Sequence, residues 1–190
     1  MMYQQNFPIV LASKSPRRQE LLKLMGLNFT VQLKEVDESY PEGMQPADIA
    51  VYIAEKKAKA FNAVHNQIVI TADTIVALNS EILGKPNDRA HAQEMLRKLS
   101  GTKHEVYTGV TLVKNEQIYS FYDLSEVHCK SVSDAEIDFY IDNYQPFDKA
   151  GSYGVQDWWG LVVVTKINGS YTNVMGLPTE KLYQALAKMK

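Results

Sequence analysis

Apolar residues in this chain fall into short β-compatible runs and longer stretches with helical spacing, and the two kinds alternate from end to end. Residues 7–12 form the first run, and Ser13-Lys14-Ser15-Pro16 then reads as a strand passing into a helix start. Ser15 supplies a cap hydroxyl, and Pro16 suits the first helical position, whose N–H has no intrahelical partner anyway. Leu21, Leu22 and Met25 recur at helical spacing until Gly26, a C-terminal stop. Alternation over residues 29–34 predicts a half-buried strand, after which Glu35, Asp37 and Glu38 lie in a loop ended by Pro41 and Gly43. A second helix is expected from Pro46 to about Ala63, with Ile49, Ile53 and Phe61 among its apolar positions.

Residues 68–71 and 75–78 are β-rich and flank Ala72-Asp73-Thr74, which puts Asp73 within or at the end of a central strand. Gly84-Lys85-Pro86 breaks the chain, and Asp88 can cap a helix reaching Leu99, closed by Ser100-Gly101. Residues 104–113 and 117–130 read as a hairpin turning around Lys114-Asn115-Glu116. Ser133 and Glu136 make a capping box for a helix to about Asn143. An irregular segment, 144–160, precedes a final apolar strand at 161–167, a turn at Asn168-Gly169, and a terminal helix over 178–189 with Leu182, Leu186 and Met189 on one face. Alternating strands and helices predict an α/β fold with a mixed sheet.

Composition narrows the class. A chain of 190 residues, 45% hydrophobic, fits one domain, 1–190, burying roughly 70% of its unfolded surface; two small lobes around a cleft are the alternative. With 22 acidic and 20 basic residues the net charge is −2, which argues against a protein that coats a nucleic-acid backbone, so any bound polyanion is expected to be small. The one cysteine, Cys129, excludes an intramolecular disulfide and a multi-cysteine zinc site, and a reducing, cytoplasmic setting follows as the default. No basic region precedes the first apolar run and no stretch approaches the roughly 18 apolar residues of a spanning helix, so neither signal peptide nor membrane association is expected.

Four segments could carry chemistry. Ser13-Lys14-Ser15-Pro16-Arg17-Arg18 gathers cations and hydroxyls at a helix N-terminus, where free N–H groups and the positive dipole end favour an anion; solvated arginines beside a plain cap are the alternative. Asp73, between apolar runs, is costly to bury unless paired, hydrogen-bonded or on a metal. Glu35, Asp37 and Glu38 offer further oxygens for a hard divalent cation. Lys57, and Lys85 on its rigid loop, are point charges for phosphate oxygens if the fold brings them beside Arg17. Residues 147–156, containing Asp148, Lys149, Tyr153 and Gln156, form an irregular segment whose glycines permit close approach to a ligand. The patterns of a P-loop, a dinucleotide fingerprint, a zinc metalloprotease and a serine hydrolase are all missing, and the histidines are isolated.

In order along the chain, Leu11-Ala12-Ser13-x-Ser15-Pro16-Arg17-Arg18-x-Glu20-Leu21-Leu22, Ala72-Asp73-Thr74-Ile75-Val76, Gly84-Lys85-Pro86 and Asp148-Lys149-Ala150-Gly151-x-Tyr153-Gly154-x-Gln156 resemble the Maf family of nucleoside triphosphate pyrophosphatases. Ser100-Gly101-x-x-His104-x-Val106-x-Thr108-Gly109-Val110 and Val174-x-Gly176-Leu177-Pro178 fit as well. The resemblance implies a long, twisted mixed sheet flanked by helices around a central cleft, of the inosine-triphosphatase-like kind. It implies hydrolysis between the α and β phosphates with a divalent cation (Mg²⁺ or Mn²⁺), a small nucleotide as substrate, and a homodimer. It makes Asp73 the proton acceptor, Glu35 and Asp73 the metal ligands, and Ser13, Ser15, Arg17, Arg18, Lys57, Thr74, Lys85, Lys149 and Gln156 the substrate-binding set. Arg17, Thr74 and Gln156 resemble the branch acting on dTTP and UTP; the branch acting on 7-methyl-GTP carries a carboxylate in place of this glutamine. A neutral amide suits that assignment, because it can accept from N3–H of uracil or thymine and donate to a carbonyl. Where the family often has glycine after the glutamine, this chain has Asp157-Trp158-Trp159 before Gly160. Alternatives are a 7-methyl-GTP-type enzyme and a non-catalytic nucleotide-binding regulator linked to septum formation.

Overall fold

The structure, a computed structural model, describes residues 5–61, 66–115 and 117–189. Seven strands form one mixed sheet: β1 (Ile9–Leu11), β2 (Phe29–Val31), β3 (Ile68–Leu78), β4 (Glu81–Leu83), β5 (Lys103–Lys114), β6 (Gln117–Cys129) and β7 (Val164–Asn168). They lie in the order β2-β1-β3-β5-β6-β7, with β4 folded back on β3. β1 pairs parallel with β2 and β3, whereas β5, β6 and β7 follow as an antiparallel meander. The helices are α1 (Pro16–Leu24), α2 (Pro46–Lys59), α3 (Arg89–Leu99), α4 (Asp134–Tyr144), α5 (Trp158–Val162), α6 (Tyr171–Met175) and α7 (Thr179–Lys188). Among the described residues no helix is long and apolar enough to cross a membrane.

The helix-start signals act as their chemistry predicts. Ser15 Oγ accepts from Arg18 N–H with Pro16 in the first turn, Asp88 Oδ1 accepts from His91 N–H at 2.8 Å, and Ser133 and Glu136 form a reciprocal capping box. Strand β3 is buried on both sides for most of its length, and its ladder with β5 sets Asp73 opposite Gly109 and Thr74 opposite Thr108. Gly109 has a packing reason: a Cβ there would lie 2.3 Å from the backbone of Ala50, so α2 rests directly on the sheet. The main core includes Leu96, Leu99, Tyr140 and Trp159.

Several boundaries differ from expectation. Residues 68–78 form one continuous strand, so Asp73 lies in mid-strand. The expected strands at 7–12 and 29–34 shorten to β1 and β2, and α2 ends at Lys59 with Ala60 as its cap; Ala63 and the hairpin residue Glu116 fall outside the described residues. The run at 161–167 is split: Leu161 and Val162 belong to α5, with Leu161 79% exposed, and the strand begins only at Val164. A short apolar run does not by itself distinguish strand from helix. β4 and α6 carry no strong periodic signal at three and five residues.

Candidate active site

A cleft of about 1250 Å³ lies where α1, β3, the loop before α2 and residues 147–156 meet. Ser13, Ser15, Arg17, Arg18, Glu35, Lys57, Asp73, Thr74, Lys85, Lys149 and Gln156 all line it, so the fold brings together segments up to 143 positions apart (13 to 156). Asp73 projects from mid-β3, and its Oδ1 accepts from Lys57 Nζ of α2 at 2.7 Å; both side chains are largely covered. The same ammonium meets Glu38 Oε1 at 2.9 Å, which makes Lys57 a cation between two carboxylates. Burial raises the Glu38 carboxyl, but Lys57, Lys85 and Arg18 together outweigh it and hold Glu38 below the usual carboxylate range. Asp37, also at the cleft, is bound by Ser39 and Lys56, whose hydrogen bonds hold it well below its ordinary value.

Arg18 is engaged by the protein itself. Nε donates to the Gly176 carbonyl at 2.7 Å, Nη1 to the Ala72 carbonyl at 2.9 Å and to Ser13 Oγ at 3.3 Å, and Nη2 to Thr74 Oγ1 at 3.0 Å. Burial pushes its guanidinium down while the nearby Asp73 charge pushes it up. Thr74 is committed similarly: Thr108 spends its proton on the Asn173 carbonyl, so in the 3.0 Å contact between the two hydroxyls Thr74 donates. This pair braces the cleft floor against the loop after α6.

Arg17 stays at the mouth, 23% exposed, and pairs with Asp148 at 3.2 Å; Asp148 in turn meets Lys149 at 2.8 Å. The Lys85 loop is tied to this wall where the Gly151 N–H donates to the Gly84 carbonyl at 3.0 Å. Beyond it, Gln156 Nε2 donates to Asp157 Oδ1 at 2.9 Å, and Gln156 Oε1 is shut off from solvent with no hydrogen-bond partner. Glu35 lines the cleft, exposed, and among the described residues no three His, Cys, Asp or Glu side chains converge as a metal cluster. Asp148 and Asp157 are the site residues that sequence reasoning left without an individual role, and Glu38 was expected only as one of three carboxylates offering oxygens to a cation, not as a partner of Lys57. Glu38 has no local mark separating it from Glu35, whereas Asp157 does carry a signal, since it follows Gln156 directly.

The sequence profile described as Maf-like protein matches residues 8–189. The chain belongs to the Maf family. This Maf protein is 49% identical over 181 residues, 94% of its own chain and 93% of the relative, to a dTTP/UTP pyrophosphatase of Flavobacterium psychrophilum. It is 48% identical, with 96% of each chain covered, to the protein of the same description from Bacteroides thetaiotaomicron. Among solved structures, a HAM1 protein from Coxiella burnetii superposes with a TM-score of 0.51 at 18% identity over 96% of this chain and 99% of that one. That likeness places the Maf chain in the same α/β architecture and extends no further.

Proposed function

We propose that this protein hydrolyses dTTP and UTP to the nucleoside monophosphate and pyrophosphate. The observation that carries the reading is Asp73: a mid-strand carboxylate held by Lys57 inside a cleft that also presents Arg17, Lys85 and the N-terminus of α1. A site that bound a triphosphate without metal would gain nothing from that carboxylate, whereas hydrolysis needs a proton acceptor among the cations. Relatives of the same length described as dTTP/UTP pyrophosphatases support the substrate.

Attack of water on phosphorus requires the charge of the triphosphate to be offset where it develops. Arg17, Lys57, Lys85 and Lys149 supply positive charge, Ser13 and Ser15 supply hydroxyls, and α1 supplies its dipole. Asp73 orients the water and takes its proton, so no covalent intermediate is required. The donor set suits a hard cation: Lys57 already stands as a positive charge between Asp73 and Glu38, and Mg²⁺ is commonly held by one or two carboxylates with phosphate oxygens and water. Asp73, with Glu35 or Glu38 from the loop, would hold Mg²⁺ or Mn²⁺, which when bound offsets phosphate charge and lowers the pKa of a water. At the far end Gln156, which lines the cleft, reads the base: its Oε1, covered and unpartnered, is an acceptor that uracil or thymine N3–H would satisfy once the base displaces the groups covering it. The single, buried cysteine suits a reducing, cytoplasmic setting.

The test is pyrophosphate release with Mg²⁺ from UTP, dTTP, CTP, ATP, GTP and 7-methyl-GTP. UTP and dTTP should lead, and Asp73→Asn should lower their turnover by about 10²- to 10⁴-fold while nucleotide still binds. No release from folded protein at concentrations approaching the substrate would make it a binder, and a 7-methyl-GTP preference would assign it to that branch. Light scattering of the same sample decides whether it is a homodimer.

A further inference from the structure

We propose that Asp157 is a positioning residue for base selection: it holds the Gln156 amide in the one orientation that accepts from a base N3–H, and so separates uracil and thymine from cytosine. The inference rests on the pyrimidine reading above and assigns a role to a residue outside the substrate-binding set.

Asp157 occupies the N-cap of α5, where an aspartate ordinarily accepts from a first-turn N–H, yet it makes no capping bond. Its oxygens are turned elsewhere. Oδ1 accepts from Gln156 Nε2 at 2.9 Å, while Oδ2 accepts from the Tyr140 hydroxyl at 3.3 Å with Lys149 Nζ 3.7 Å away. Tyr140 is itself oriented: it is buried, and its oxygen accepts from the Gly154 N–H at 3.0 Å, which leaves the phenolic proton for Asp157. Space around the pair is tight. A Cβ on Gly154 would lie 2.5 Å from Asp157 Oδ2 and 2.6 Å from Gln156 Nε2, so this glycine makes room for the contact.

An ionised carboxylate only accepts hydrogen bonds. Turning the Gln156 amide by half a rotation would set Oε1 against Asp157 Oδ1, oxygen against oxygen. Nε2 is therefore committed to Asp157, and Oε1, covered as it stands, is the atom left for a ligand donor when the base enters and uncovers it. Uracil and thymine present N3–H as that donor, whereas cytosine presents a bare N3 acceptor and would repel Oε1. An amide free to turn could serve either base by exchanging its two ends. Asp157 removes that tolerance.

The experiment compares kcat/KM for UTP and CTP in wild type, Asp157→Asn, Gln156→Ala and the double variant, each checked by thermal melting. Asparagine can either accept from or donate to the amide, so Asp157→Asn should lower the UTP-to-CTP ratio by about tenfold or more, chiefly through KM. Because Asp157 acts through Gln156, adding Asp157→Asn to Gln156→Ala should change the ratio by less than about twofold. An unchanged ratio in a folded Asp157→Asn protein overturns the inference, as does an equal shift in both backgrounds. If the asparagine variant does not fold, Asp157→Ala is measured with the same pair, and a wild-type protein that uses UTP and CTP equally well overturns the inference without any variant. A wild type that releases no pyrophosphate from UTP or dTTP marks a different failure, that of the pyrimidine reading itself.

Discussion

Lys57, in the last turn of α2, reaches 2.7 Å from Asp73 in the middle of β3, and so couples the helix layer to the one acidic side chain of the sheet's central strand that faces the cleft. The ammonium holds Asp73 in place, and its second contact with Glu38 ties down the loop before α2.

Replacing Lys57 by methionine keeps the length of the side chain and removes the charge. Loss of one preorganised electrostatic contact of this kind costs on the order of 10²–10³ in kcat. Lys57→Met should fall in that range for UTP and, because it leaves Asp73 covered without its partner, melt below the wild-type temperature while still folding. Turnover within a factor of about three of wild type would show that Lys57 is dispensable to the reaction.

Arg18 and Arg17 are adjacent in sequence and differ in use. Arg18→Lys retains the charge but cannot reach Gly176, Ala72 and Thr74 together from one planar group. Urea denaturation should show a loss of roughly 2–4 kcal/mol from the unfilled acceptors. Arg17→Lys, at the cleft mouth, should change stability by less than about 0.5 kcal/mol and raise KM for the triphosphate instead.

Gln156→Glu would place a second carboxylate beside Asp157, at a position now joined to it by a 2.9 Å hydrogen bond. The new group offers only acceptors to the carbonyl oxygens of uracil. Steady-state kinetics should show kcat/KM for UTP lower by about hundredfold or more. Unchanged pyrimidine use would remove Gln156 from base recognition.

His104 sets a pH limit on stability. A buried residue of β5, it has Nε2 2.7 Å from the Tyr153 hydroxyl and Nδ1 without a partner, and burial, aided by the charge of His128, lowers its pKa from 6.5 to about 4. The unfolded chain therefore binds the proton more readily than the folded one between those values. Stability should be full above about pH 6.5 and decline as the pH falls toward 4, by roughly 3 kcal/mol for this group. Urea midpoints across that range should slope in wild type and flatten in His104→Gln.

Much of this was legible in the sequence because the decisive signals are local. Ser15-Pro16 marked the start of α1, Ser133 with Glu136 that of α4, and the β-rich runs on either side of Asp73 marked the central strand. What escaped depends on distance. Nothing near Glu38 tells that Lys57 meets it, and no neighbour of Thr74 tells that its hydroxyl is used by Arg18 and Thr108. The apolar residues 161 and 162 pointed to a strand because a run of that length suits either structure, and only the packing of Trp159 into the core decides for a helix there.

The two ends of the cleft are built from different material. Asp73 and Lys57 stand on an eleven-residue strand and a fourteen-residue helix seated on the sheet through Gly109, whereas Gln156 and Asp157 sit on a stretch of turns and single helical coils. The Gln156 end is thus mechanically distinct from the Asp73 end, although Thr74 shares β3 with Asp73. Substitutions in the segment that carries Gln156 and Asp157 could therefore alter contacts at that end of the cleft without disturbing the strand and helix that hold Asp73 and Lys57.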